Sequence, residues 1–101
     1  MNAEQLLKQV HINRDLIIRK NDDAYEHLET LQTEYAHLID EEIALTIELN
    51  KSLLLLIFKA DYAGAIDYSL AVLDKYKDTI SKAALAFHLK MVGTCYAHMG
   101  E

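Results

Sequence analysis

Two groups of side chains have the spacing that metal chemistry asks of a helix. Glu34 and His37 stand three residues apart, which would set both on one helical face. Carboxylate-bridged di-iron bundles use two such Glu-x-x-His pairs and two further Glu, and this chain supplies one pair. His88, Met91, Cys95 and His98 follow at intervals of 3, 4 and 3, a soft donor set of the kind that suits Cu(I). Met and Cys are equally ordinary packing residues, and ligands strung along one helix seldom close around one ion. No metal centre is expected. Cys95 beside His88 or His98 has the residue types of a thiol nucleophile and its base. A mid-helix position, however, offers neither an oxyanion hole nor a strained turn. Gly64, Gly93 and Gly100 are isolated, so no glycine-rich loop cradles a phosphate. The chain reads as a protein without catalytic residues and without a cofactor.

The elements that would position these residues are helices. The 101 residues suffice for one small domain, and an apolar fraction of 51% can fill its core. Sixteen Leu and twelve Ala with no Pro favour helix over a turn-rich sheet. The longest apolar run, Leu53 to Phe58, is six residues, well short of the roughly 20 that span a bilayer. The start, Met1 to Lys8, has no basic-then-apolar signal pattern, and a lone Cys95 agrees with a reducing compartment. A cytoplasmic protein is expected. The net charge of −6 argues against nucleic acid and anionic membrane as partners.

Apolar spacing places a first helix over about Ala3 to Lys20, with Leu6, Val10 and Ile17 on its inner face. Asp23 with Glu26 forms an approximate capping box for a second helix, whose stripe is Leu28, Leu31, Tyr35 and Leu38. Asp40 offers a cap for a third, although no Gly or Pro enforces that break and one helix over about 23–58 stays open. The third carries Ile43, Ile47 and Leu49 and then the Leu53–Phe58 run, apolar on every side. A fourth helix, about Tyr62 to Tyr76, turns Ala65, Ile66, Ser69, Val72 and Leu73 inward. A fifth, about Lys82 to Met99, has Leu85, Leu89, Val92 and Tyr96 as its stripe and Gly100 as its cap. Charge is uneven along this array. Nine acids and no Lys or Arg lie between Asn21 and Asn50, and Arg14, Arg19 and Lys20 form a basic cluster just before them. The acidic stretch is either a solvated face or a docking surface for a basic partner or for that cluster in a second copy.

From Asp61 onward the chain resembles a tetratricopeptide repeat. Ala60-Asp61-Tyr62-Ala63-Gly64-Ala65-Ile66 looks like the junction between the two helices of one unit, and Leu89, Val92-Gly93, Tyr96 and Gly100-Glu101 look like the first helix of the next. The resemblance implies that Ala65 and Ile66 pack the hairpin, that Gly93 admits a neighbouring backbone, and that Tyr96 fills the space between units. The spacing from Ala60 to Gly100 is 40 residues against about 34 for the type, the surplus falling in Lys75–Lys82. Leu53 and Leu49 stand where glycine and an aromatic are usual in the first unit.

The expectation is thus a single all-α domain over 1–101, with N-terminal helices over 1–40 and one and a half repeat-like units over 41–101, in a right-handed superhelical array. The resemblance implies an interaction or sensory module that takes a protein or peptide in a groove. That groove would be lined by Ile47, Asn50 and Leu54 in the first unit and by Phe87, Lys90, Thr94 and Ala97 in the second. It further implies the N-terminal part of a longer signalling protein, with an output module such as a diguanylate cyclase (GGDEF) domain. The alternative is a structural dimerisation bundle serving such an output domain. A homodimer is expected in either case, because the Leu53–Phe58 run and the faces of Leu89, Val92 and Tyr96 have little interior to occupy.

Overall fold

The computed structural model describes residues 1–100. The acid of the expected Gly100-Glu101 closure therefore lies outside the described residues. The fold is all-α: α1 (Ala3–Ile18), α2 (Ala24–Glu34), a single 3₁₀ turn (Ala36–Leu38), α3 (Glu41–Lys59), α4 (Tyr62–Lys75) and α5 (Lys82–His98). Helix α1 packs on both α2 and α3, α3 packs on α4, and α4 on α5, giving a flat array 43 × 34 × 17 Å.

Local chemistry explains where each helix starts. Asn2 and Gln5 exchange side-chain and backbone hydrogen bonds at 2.9 Å in a capping box that opens α1. Asp40 Oδ1 accepts from Ile43 N at 2.9 Å, Asp61 Oδ1 from Gly64 N at 2.9 Å, and Ser81 Oγ from Ala84 N at 3.1 Å. The Asp40 cap, together with the 3₁₀ turn before it, divides the stretch over 23–58 into two helices. Asp23 does not cap α2. Its backbone is helical rather than extended, so its carboxylate cannot swing back to the first-turn amides; Asn21 Oδ1 instead accepts from Asp23 N at 2.9 Å. Between α3 and α4 the chain reverses at Ala60, in the left-handed region at φ 48. Replacing Asp40 by alanine should lower the unfolding free energy by about 1 kcal/mol, read as a lower urea midpoint at unchanged slope.

The core follows the apolar stripes in four of the five helices. Leu6, Val10 and Ile17 of α1, Leu28 and Leu31 of α2, Ile43, Ile47, Leu53 and Leu54 of α3, and Ala65 and Ile66 of α4 share one cluster. Tyr35 and Leu38 reach it only from the side, because α2 ends at Glu34. The Leu53–Phe58 run is not buried on every side: Leu55, Leu56 and Ile57 are half-buried and Phe58 is exposed.

Helix α5 departs from its expected face. Leu85, Leu89 and Tyr96 are exposed, and His88, Met91 and Cys95 are buried in their place. The two stripes have the same 4-3 spacing and differ by one residue, a rotation of about 100°. Because α5 is apolar nearly all round, its own pattern does not select between them. Packing does: Met91 and Cys95 join the cluster that holds Ala65 and Ile66 of α4. Gly93 is exposed, and a Cβ built there meets nothing within 4 Å, so no neighbouring backbone approaches it within the chain.

Candidate functional site

The inner stripe of α1 contains one polar residue, Asn13, at helical spacing between Val10 and Ile17. Asn50 plays the same part on α3, and both are fully buried. A buried amide left unpaired costs about 1–3 kcal/mol, so the partners of each matter. Asn50 Nδ2 donates to Val10 O at 2.8 Å and to Asn13 Oδ1 at 3.1 Å. Asn13 Nδ2 donates to Ala24 O at 2.8 Å and lies 3.0 Å from His27 Nδ1. With Nδ1 accepting, the ring hydrogen of His27 sits on Nε2. Asn50 Oδ1 in turn accepts from Arg14 Nε at 3.2 Å. One polar thread therefore crosses the core from α2 through α1 and α3, and it ends at a guanidinium.

Arg14 is half-buried and stands at the wall of a cleft where α1, α3 and α5 meet. The cleft is about 330 Å³ and has Leu45, Leu49 and Phe87 as its apolar bed. The guanidinium lies over the Phe87 ring, 5.0 Å from its centre. Burial pulls its pKa below the usual arginine value, with Asp15 opposing, although arginine keeps its charge throughout the accessible range. Among the described residues one ion pair forms, Lys51 with Glu48, and no carboxylate lies within ion-pair reach of Arg14. Its Nη groups are not engaged by any side chain or carbonyl of the described residues. The cleft shares Glu42, Leu45 and Ser81 with a second recess, which Glu41 and Thr79 border further out. The combined groove thus carries one cation, Arg14, in the first recess, Glu42 where the two recesses meet, and Glu41 in the second.

The expected groove residues do not come together. Ile47 and Asn50 are buried and line no surface. Leu54 helps to floor a different cleft, about 460 Å³, together with Tyr25, Leu55, Phe58 and Tyr68. That cleft is larger but its polar lining is Lys51, Lys59 and Tyr68; Lys51 already pairs with Glu48, and Tyr68 donates its hydroxyl to the same Glu48. Phe87 does line the Arg14 cleft, and Lys90, Thr94 and Ala97 continue from it at helical spacing, exposed along α5. Of the expected repeat-packing residues, Ala65 and Ile66 are buried between helices, whereas Gly93 and Tyr96 lie on the outside.

Arg14 appears in the sequence only as one of three clustered bases. Arg19 and Lys20 are exposed, and Arg14 alone turns inward. The signal that would have found the site is an Asn at a stripe position on each of two helices. The metal-type groupings are dispersed. Glu34 and His37 are exposed on either side of the α2 terminus. His98 stacks on Tyr62 at 5.0 Å, away from the buried His88, Met91 and Cys95. No group of three or more His, Cys, Asp or Glu with metal-holding geometry occurs among the described residues. No described helix is long and apolar enough to cross a membrane. No family model, no curated protein and no solved structure matches the chain.

Proposed function

We propose that this protein is a non-enzymatic interaction module that takes an extended segment of a partner protein into the α1/α3/α5 cleft. The observation that carries this reading is Arg14: a half-buried cation, stacked on Phe87, fixed through Nε, and in no direct ion pair among the described residues. A partly desolvated charge is stabilised by pairing, and a guanidinium presents a planar fork matched to carboxylate. The partner segment therefore carries an Asp, a Glu or a free C-terminus at the Arg14 end. Glu41 in the second recess, with Glu42 between it and Arg14, favours a basic residue there, which sets the direction of the segment. Lining by the first helices of successive hairpins agrees with the repeat-like reading, in which the module serves a larger cytoplasmic signalling protein with an output domain such as a diguanylate cyclase.

A peptide array of mixed composition tests this directly. The expected result is enrichment of segments with an acid several residues from a base. Arg14→Ala should weaken the selected peptide 10- to 100-fold, the loss of a charge-assisted pair worth about 1.5–3 kcal/mol. Arg14→Lys should restore only part, because an ammonium lacks the fork. Peptides selected without acidic residues would refute the proposal. A dimerisation bundle regulating an output domain is the second reading, and the observation favouring it is the apolar outer face of α5.

A further inference from the structure

Leu85, Leu89, Val92, Tyr96 and Met99 recur at intervals of 4, 3, 4 and 3, the spacing of a helix–helix seam. Within the chain the stripe is not covered: Leu89 is 55% exposed, Leu85, Tyr96 and Met99 are exposed as well, and Val92 is half-buried. Contiguous exposed side chains of this size mark an interface. We propose that α5 pairs antiparallel with α5 of a second copy, across a two-fold axis at Val92 and Gly93. The inference rests on the dimer reading above and is independent of the Arg14 cleft.

The stripe is nearly palindromic about that axis. Antiparallel pairing sets Leu85 against the partner's Met99, Leu89 against the partner's Tyr96, and Val92 against the partner's Val92. A self-complementary patch is what an isologous contact requires. Gly93, beside the axis and with open space above it, lets the two backbones approach. Charge selects the direction. Helix α5 carries Lys82 and Lys90 and no acid. Parallel pairing would stack each lysine on its own copy. Antiparallel pairing brings Lys82 to the C-terminal end of the opposite helix, where unpaired carbonyls concentrate partial negative charge. It also sets Lys90 opposite the partner's Thr94, a neutral residue.

Light scattering after size exclusion, at micromolar and tens-of-micromolar concentration, tests the pairing. The wild-type chain should approach twice the monomer mass at the higher concentration. Leu89→Glu should give monomer mass with an unchanged helical spectrum, since the side chain is exposed. Leu70→Glu, an exposed leucine on α4, should leave the dimer intact. Spin labels placed singly on Ala83→Cys and Thr94→Cys then read direction, with the fully buried Cys95 left unlabelled. Antiparallel helices separate the Ala83 labels more widely than the Thr94 labels, by on the order of 10 Å. A wild-type monomer at both concentrations would overturn the pairing and the dimer reading together. A dimer that survives Leu89→Glu, or is lost with Leu70→Glu, would overturn the α5 pairing and leave a dimer through another face. Equal label separations would overturn the antiparallel arrangement.

Discussion

Replacing Asn50 by alanine should lower the unfolding free energy by about 3 kcal/mol, a large part of the roughly 5–15 kcal/mol typical of a domain. The side chain is fully buried and makes three hydrogen bonds, two as donor and one as acceptor. Its removal deletes those bonds and leaves the Asn13 carboxamide oxygen and Arg14 Nε without their partners. The second loss is the heavier, because the stranded donor is charged. Asn50→Leu keeps the branched outline with a larger volume and should cost at least as much, since the stranded groups are the same. Replacing its three members on α1 and α3 at once, Asn13→Leu with Arg14→Met and Asn50→Leu, should recover much of the stability, because only the half-buried His27 ring is then left without its partner. Urea unfolding followed by circular dichroism measures all three. A single-variant loss below about 1 kcal/mol would mean that the thread contributes little.

Acid should destabilise the fold through His88. The ring is fully buried, and neither Nδ1 nor Nε2 has a hydrogen-bond partner among the described residues. Burial, and after it the nearby Arg14 charge, push its pKa down to about 4. The unfolded chain takes up a proton on this ring near pH 6.5, whereas the folded chain does so only near pH 4. The unfolded state thus binds more protons across that window, and stability falls as the pH drops through it, by up to about 3 kcal/mol. His88→Leu removes both the titration and two unpaired polar atoms at similar volume. It should raise stability at pH 7 by about 2 kcal/mol and flatten the His88 share of the acid limb. A variant no more stable than wild type, with the same acid dependence, would show that the ring is solvated.

How far these features can be read from the chain depends on how far apart their causes lie. Asp40, Asp61 and Ser81 act on amides three residues away, so a helix start at Asp40 is visible locally. The inner face of α4 is equally plain, because Asp67, Asp74 and Lys75 occupy the opposite side. Helix α5 has no such contrast. Its apolar residues offer two stripes one residue apart, and the contacts of Met91 and Cys95 with the core select the one that the larger side chains do not form. The Arg14 cleft is the least legible feature. Its geometry depends on Asn50, 36 residues away along the chain, and on Phe87 of a third helix. No local pattern distinguishes that arginine from Arg19.

The proposed function rests on Arg14 as a half-buried cation in no direct ion pair among the described residues. Two-dimensional ¹H–¹⁵N spectra that resolve the Arg14 side chain and the amides of Ala83 and Ala84, which line the same cleft, test it most directly. During titration with a short peptide carrying one acid and one distant base, the Arg14 resonance should shift and saturate together with the two amides and the amide of Phe87. The same peptide with its acid amidated should leave them in place. Shifts confined to Tyr25, Phe58 and Tyr68, with Arg14 unmoved by either peptide, would contradict the account.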